Sequence, residues 1–140
     1  MTDVYFKRFG DDREHEVLRH ILDNDPTITV PVVSITEEGF FSELYDQIPF
    51  NTAQIILQKI NLLVRLHKIG VYHNDLGDHN FLIKDNQVRI IDFGSAFLTS
   101  DDEWLEVLFA DILKNDGDIV TCKYHAFHLE LTSFIQSFPV

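Results

Sequence analysis

Asp75, Asn80 and Asp92 are the residues of this chain whose types and spacing could do chemistry. They stand in His73-Asn74-Asp75-Leu76-Gly77-Asp78-His79-Asn80 and, a hairpin's length further on, in Asp92-Phe93-Gly94. A carboxylate can orient an acceptor hydroxyl and take its proton, and carboxylate and carboxamide oxygens are hard donors of the kind Mg²⁺ prefers. Phosphoryl transfer needs such a set and little covalent catalysis. Taken singly, a loop Asp or Asn is usually a turn residue. Here six specified letters, H-x-D-x-x-x-x-N and then D-F-G, stand in order with the right elements between them.

That pattern resembles the signature of the protein-kinase-like superfamily. The resemblance implies that Asp75 serves the acceptor, that Asn80 and Asp92 hold the Mg²⁺ bridging the ATP phosphates, that Phe93 packs under the first helix and that Gly94 permits the backbone turn. It extends to Leu66-His67-Lys68-Ile69-Gly70-Val71-Tyr72-His73, which is similar to the helix end that delivers a kinase catalytic loop. Asp102-Glu103-Trp104 resembles the family's D-x-W helix, whose Asp bonds the catalytic-loop backbone, so Asp102 is expected to position rather than react. Upstream, Lys7 lies where the family keeps its phosphate-pairing Lys, and Arg13-Glu14-His15-Glu16-Val17-Leu18 resembles the helix carrying its Glu partner. Glu14 is preferred by its spacing to Val17 and Leu18, with Glu16 as the alternative. Phe41-Ser42-Glu43-Leu44-Tyr45 falls where the family's hinge meets adenine, which assigns Glu43 and Tyr45 to the nucleotide. His73 is expected to shape the loop through a structural hydrogen bond, and His79 to be a loop residue near the metal.

These residues need elements to hold them. Tyr5-Phe6-Lys7-Arg8-Phe9 alternates as a half-buried strand and ends at Gly10, and Asp11 and Asp12 suit the cap of a helix from about Arg13 to Leu22. Asn24-Asp25-Pro26 stops that helix. The β-branched stretch Ile28 to Ile35, with Pro31 at an edge or strand start, reads as a strand turned by Glu37-Glu38-Gly39 onto a second strand, Phe40 to Tyr45. A long helix is expected over Asn51 to Ile69, capped by Asn51 or Thr52, with Ile55, Ile56, Ile60, Leu63 and Leu66 at helical spacing and Gly70 as its stop. Phe81-Leu82-Ile83 and Val88-Arg89-Ile90-Ile91 make a hairpin. Asp101-Asp102 caps an apolar helix to about Leu113, and a weaker helix follows Asp118.

The 140 residues carry a formal charge of −12 and are 45% apolar, which fits one compact domain. Charge of that sign argues against unspecific binding to nucleic acid or to an anionic membrane, both of which depend on many Lys and Arg contacts. The charged N-terminus does not read as a signal peptide, and no run approaches the roughly eighteen apolar residues of a membrane span. A soluble, cytoplasmic (intracellular) protein is expected. The single Cys122 forms no internal bridge. Cys122, His125 and His128 recur every three residues, but a packed or surface helix face explains them better than a metal site. The twelve phenylalanines read as core rather than as a platform for bases.

The resemblance also has gaps. Six residues precede Lys7, too few for the strands and Gly-rich loop that cover the phosphates in the family, and only seven separate Gly94 from Asp102, too few for an activation segment. Asn74 replaces the Arg before the catalytic Asp, so switching by activation-loop phosphorylation is not expected. Gly77 replaces the Lys that Ser/Thr kinases carry two residues after that Asp. Asp75-Leu76-Gly77 looks more like aminoglycoside phosphotransferases, and the short spacer resembles small atypical kinases of tRNA-modifying complexes. About 27 residues follow the capped helix, so the helical lobe is expected to be curtailed.

The fold implied is α+β: a truncated, kinase-like two-lobed domain over residues 1–140. Its reduced N-lobe, about 1–47, is a small antiparallel sheet with one helix, and its shortened C-lobe is about 48–140. The function implied is a minimal phosphotransferase using ATP and Mg²⁺, acceptor unspecified. The rival from another class is a kinase mimic that docks onto another kinase or complex. Truncation should expose apolar surface, so a protein partner or self-association is expected under either reading.

Overall fold

The computed structural model describes residues 4–99, with Trp104, Val107, Leu108, Ala110 and Asp111 of the helix that follows. The expected helix after Asp118, the Cys122, His125 and His128 triplet, and Asp102 lie outside the described residues.

The N-terminal part is a three-stranded antiparallel sheet with one helix. Strands β1 (Val4–Arg8), β2 (Val32–Ile35) and β3 (Gly39–Glu43) lie in the order β1-β3-β2. Lys7 pairs with Phe40 and Arg8 with Gly39. At Gly39 the strands approach so closely that a Cβ would stand 2.2 Å from the Lys7 carbonyl oxygen, so any side chain there would displace the strand carrying Lys7. Helix α1 (Asp12–Asn24) starts where its cap predicts, with Asp11 accepting from the Glu14 N–H at 2.9 Å, an arrangement worth about 1 kcal/mol. Its buried face is Glu14, Val17, Leu18 and Ile21.

The strand expected over Ile28 to Ile35 is shorter than the pattern implied. Pro26–Ile28 form a 3₁₀ turn, and β2 begins only at Val32. The turn is held from outside its own segment: Arg65 grips Asp25 with bonds of 2.9 and 2.6 Å. Pro31 has no N–H for a ladder, and its carbonyl instead accepts from Glu43 N at 3.0 Å. Ile28 and Val30 are buried without being in a strand, so their β-branched character reflected burial.

Helix α2 (Ala53–Lys68) forms the centre of the C-terminal part. Thr52 caps it, accepting from Ile55 N at 3.2 Å, while Asn51 accepts from the buried Lys59 ammonium at 2.7 Å. Gly70, with φ of 83°, lets the chain leave the helix in the left-handed region. Strands β6 (Phe81–Lys84) and β7 (Gln87–Ile90) make the expected hairpin. Its turn residues Asp85 and Asn86 both have positive φ, 51° and 64°, as the tight two-residue turn requires. Three two-residue strands complete the frame. In chain order they are β4 (Asp46–Gln47), which pairs with β6, and β5 (Val71–Tyr72), which pairs with β8 (Phe97–Leu98). None is long enough to show a period of two in sequence.

One apolar cluster joins the two parts: Val17, Leu18 and Ile21 of α1 meet Leu63 and Leu66 of α2 and Phe81 and Ile90 of the hairpin. The cleft above it therefore has a rigid floor. Among the described residues no helix is long and apolar enough to cross a membrane.

Candidate active site

Lys7 and Glu14 come from adjacent elements joined by a short loop, and their side chains form an ion pair at the inner edge of the cleft. Glu14 is buried, and its second carboxylate oxygen accepts from Gly10 N at 2.8 Å. Glu16, the alternative partner, is exposed on the same helix. The first turn of α1 faces the cleft at position 14, and two residues on it has turned through about 200°.

Asp92 reaches the same ammonium: Lys7 Nζ lies 3.4 Å from Asp92 Oδ1. The backbone at Asp92 is in the left-handed region, φ 63°, which costs a non-glycine residue energy and turns the carboxylate toward Lys7. Burial works against the ionised carboxyl. The Lys7 charge and the Gly94 N–H, 3.2 Å from Oδ1, outweigh it and hold Asp92 below the usual carboxylate range. Both contacts use Oδ1, and Oδ2 of this cleft-lining residue makes no hydrogen bond among the described residues.

Asp75 and Asn80 are tied to each other. Asn80 Nδ2 donates to the Asp75 carbonyl at 2.8 Å and to Asp75 Oδ2 at 3.2 Å, which directs its amide nitrogen away from any cation and leaves its oxygen as the ligand atom. Asn80 lines the cleft with Asp92. A carboxylate oxygen and a carboxamide oxygen, with the ammonium held to one side, are the hard donor set that Mg²⁺ takes. The residues present therefore fit that ion.

The rest of the cleft is an apolar cavity of about 350 Å³, within the range of small-ligand pockets. Phe40 and Ser42 of β3 line one side and Leu82 and Ile91 another. Glu43 and Tyr45, expected at the nucleotide, both line it where β3 passes into β4. Their side chains are steadied by Lys84, which lies 4.0 Å from the Glu43 carboxylate and 5.8 Å from the centre of the Tyr45 ring.

His73 organises the loop that carries Asp75. Its Nε2 lies 3.0 Å from the Ile91 carbonyl and its Nδ1 3.1 Å from Asp75 N. A carbonyl only accepts and an amide N–H only donates, so the ring is the neutral tautomer with its proton on Nε2. Phe93 packs edge-on against it at 5.3 Å. Burial pulls His73 below its ordinary value of 6.5, against the Ile91 bond and the nearby carboxylates. Between that lowered value and 6.5 the unfolded chain binds the extra proton and the folded one does not, so this residue's contribution is intact above pH 6.5 and declines as the pH falls. Urea denaturation across this range should show the slope in the wild type and a flatter profile in His73→Gln; parallel profiles would refute the assignment.

The loop's second support escaped the sequence reading. Asp111, fully buried, accepts from His73 N and Asn74 N at 2.9 Å each and lies 2.7 Å from His67 Nε2. It bonds the backbone of this loop, the role expected of Asp102, which lies outside the described residues. The signal available was a lone carboxylate between Ala110 and Ile112 in an apolar run, where a charge survives only with buried partners. Burial opposes its ionisation, and the His67 bond with the two N–H groups prevails, so its carboxyl stays below the usual range.

The RIO domain family matches this chain over residues 13–115. No curated protein matches the sequence. A solved structure described as WaaP in complex with acyl carrier protein superposes with a TM-score of 0.58 at 14% identity, covering 97% of this chain and 70% of that one. At that identity the likeness speaks for the fold, which is α+β and kinase-like in truncated form.

Proposed function

Because this chain belongs to the RIO domain family, an atypical protein-kinase-like family, we propose that it is a phosphotransferase that takes its phosphoryl group from ATP with Mg²⁺. The observation that carries this reading is the joint placement of Lys7, Glu14 and Asp92 at one end of an adenine-sized apolar cavity. Lys7, steadied by Glu14, is the cation for the nucleotide phosphates. Asn80 and Asp92 are the oxygen donors for Mg²⁺, which when bound neutralises charge on the phosphates. Glu43 and Tyr45 supply the hinge backbone beside the base. Asp75 faces the acceptor, oriented by Asn80 on one side and by the His73 bond to its N–H on the other.

A docking role has its own support in the outer face of the β1-β3-β2 sheet, where Phe6 and Phe41 meet at 4.8 Å and, with Val4 and Val33, are exposed. Such a face suits a protein partner or a second copy. The assembled cleft favours activity over a purely docking role.

Calorimetric titration with ATP, with and without Mg²⁺, separates the two. Binding that requires the metal and is lost in Asp92→Asn is the expected result. A wild type that binds no ATP at millimolar concentration would sink the phosphotransferase reading and turn attention to the exposed sheet face.

A further inference from the structure

Between Asp75 and Asn80 the backbone closes on itself: Gly77 N donates to the Asp75 carbonyl at 3.0 Å, and Asn80 N donates to the Gly77 carbonyl at 3.0 Å. Gly77 sits at the crown of this turn, yet its φ lies outside the left-handed region, so the backbone does not demand a glycine. The demand comes from a neighbour. A Cβ on residue 77 would meet the His79 ring, 2.6 Å from Cε1 and 2.7 Å from Nδ1. The imidazole lies in the space that a side chain at 77 would take.

The ring beside Gly77 is exposed and makes no hydrogen bond or ion pair among the described residues. Leu76 is buried and apolar, and Gly77 has no side chain. Of the described side chains between the acceptor carboxylate and the metal-ligand amide, His79 alone offers a free N–H. Packing a ring on a glycine restricts its rotamers, a cost with no return inside the protein itself. A donor on this turn, one residue before the metal-ligand amide, is placed for the group in transit between Asp75 and the Asn80 and Asp92 oxygens, a phosphoryl group rich in acceptor oxygens.

We propose that His79 is a substrate-binding residue that donates a ring N–H to the terminal phosphoryl group of ATP, and that Gly77 is glycine in order to seat that ring. This rests on the phosphotransferase reading and adds the residue that tells a triphosphate from a diphosphate. A hydrogen bond to a charged oxygen gives a preference of about tenfold or more.

The test is the ratio of ADP to ATP dissociation constants, each nucleotide titrated calorimetrically with Mg²⁺. The wild type should favour ATP by about tenfold or more. His79→Ala should bring the ratio close to one with ADP affinity unchanged, and Gly77→Ala, which evicts the ring, should do the same. The double variant should be no worse than either single, and Gly77→Lys in the His79→Ala background should restore the preference by placing a new cation in the vacated space. A ratio in His79→Ala equal to that of the wild type overturns the proposal and leaves the phosphotransferase reading standing, as does a wild type that binds both nucleotides equally. A wild type that binds neither nucleotide overturns both. Because His79 is exposed, its replacement should leave the thermal melt unchanged, which separates lost contact from lost fold.

Discussion

Asp75→Asn should slow phosphate transfer by about 10²- to 10⁴-fold, the range of a lost general base, while Mg-ATP binds as before. Asp75 does not line the apolar cavity, so binding there should not depend on it. The variant also preserves the loop. Its backbone carbonyl still accepts from Asn80 Nδ2, its N–H still donates to His73, and an amide oxygen can take the place of Oδ2 opposite Asn80. What disappears is the ability to take a proton from the acceptor. With the acceptor unidentified, the measurement is release or self-transfer of labelled terminal phosphate, read beside calorimetric affinity. Unchanged transfer would remove Asp75 from the chemistry. Parallel loss of binding and transfer would make it a structural member of the metal site.

Asp111→Ala should cost about 3–5 kcal/mol of stability, as expected when one member of a buried charged network is removed. The carboxylate satisfies His73 N, Asn74 N and His67 Nε2, and nothing else described in that interior replaces it. His67 is constrained on its other side too, with Nδ1 2.7 Å from the Leu63 carbonyl. The ring is thus placed by Leu63 and Asp111 together, and losing Asp111 leaves its Nε2 without that partner in an apolar core. The same residue governs acid sensitivity. Its carboxyl is depressed in the folded chain, so its contribution is complete above the ordinary value of 3.8 and is lost as the pH falls through the lower folded value. Urea midpoints should show Asp111→Ala destabilised at neutral pH and less acid-dependent than the wild type at low pH. A midpoint near that of the wild type at neutral pH would mean that the loop is anchored elsewhere. Asn74 sits at φ 73° in this anchor, so weakening Asp111 should also release the strained backbone beside Asp75.

Much of this molecule was legible in its sequence because the signals were local and repeated. The long helix carries its apolar period over four turns with a Thr cap and a Gly stop, and the hairpin carries its turn residues between two apolar runs. The order and spacing of Asp75, Asn80 and Asp92 pointed to phosphate chemistry before any distance was known. Failures came where a residue's environment was set by distant chain. Ile28 and Val30 are β-branched because they are buried, not because they pair, and the turn holding them is fixed by Arg65 from α2. The two-residue strands are defined by partners distant in sequence, β4 by β6 and β5 and β8 by each other.

The sequence by itself determined the inventory: a catalytic-type loop, a D-F-G, a strand lysine with two candidate acids, and a helix to deliver the loop. Tertiary structure decided which of them meet. Helical phase, fixed by the packing of Val17, Leu18 and Ile21, put Glu14 in the cleft and Glu16 in water. Burial chose Asp111 as the loop's anchor, since only a carboxylate inside the core reaches His67, His73 and Asn74 together. The His79 ring over Gly77 is likewise a contact within a folded turn. Spacing along a chain fixes which groups are available, and only the closed core fixes the few ångströms between them on which electrostatics and hydrogen bonding depend.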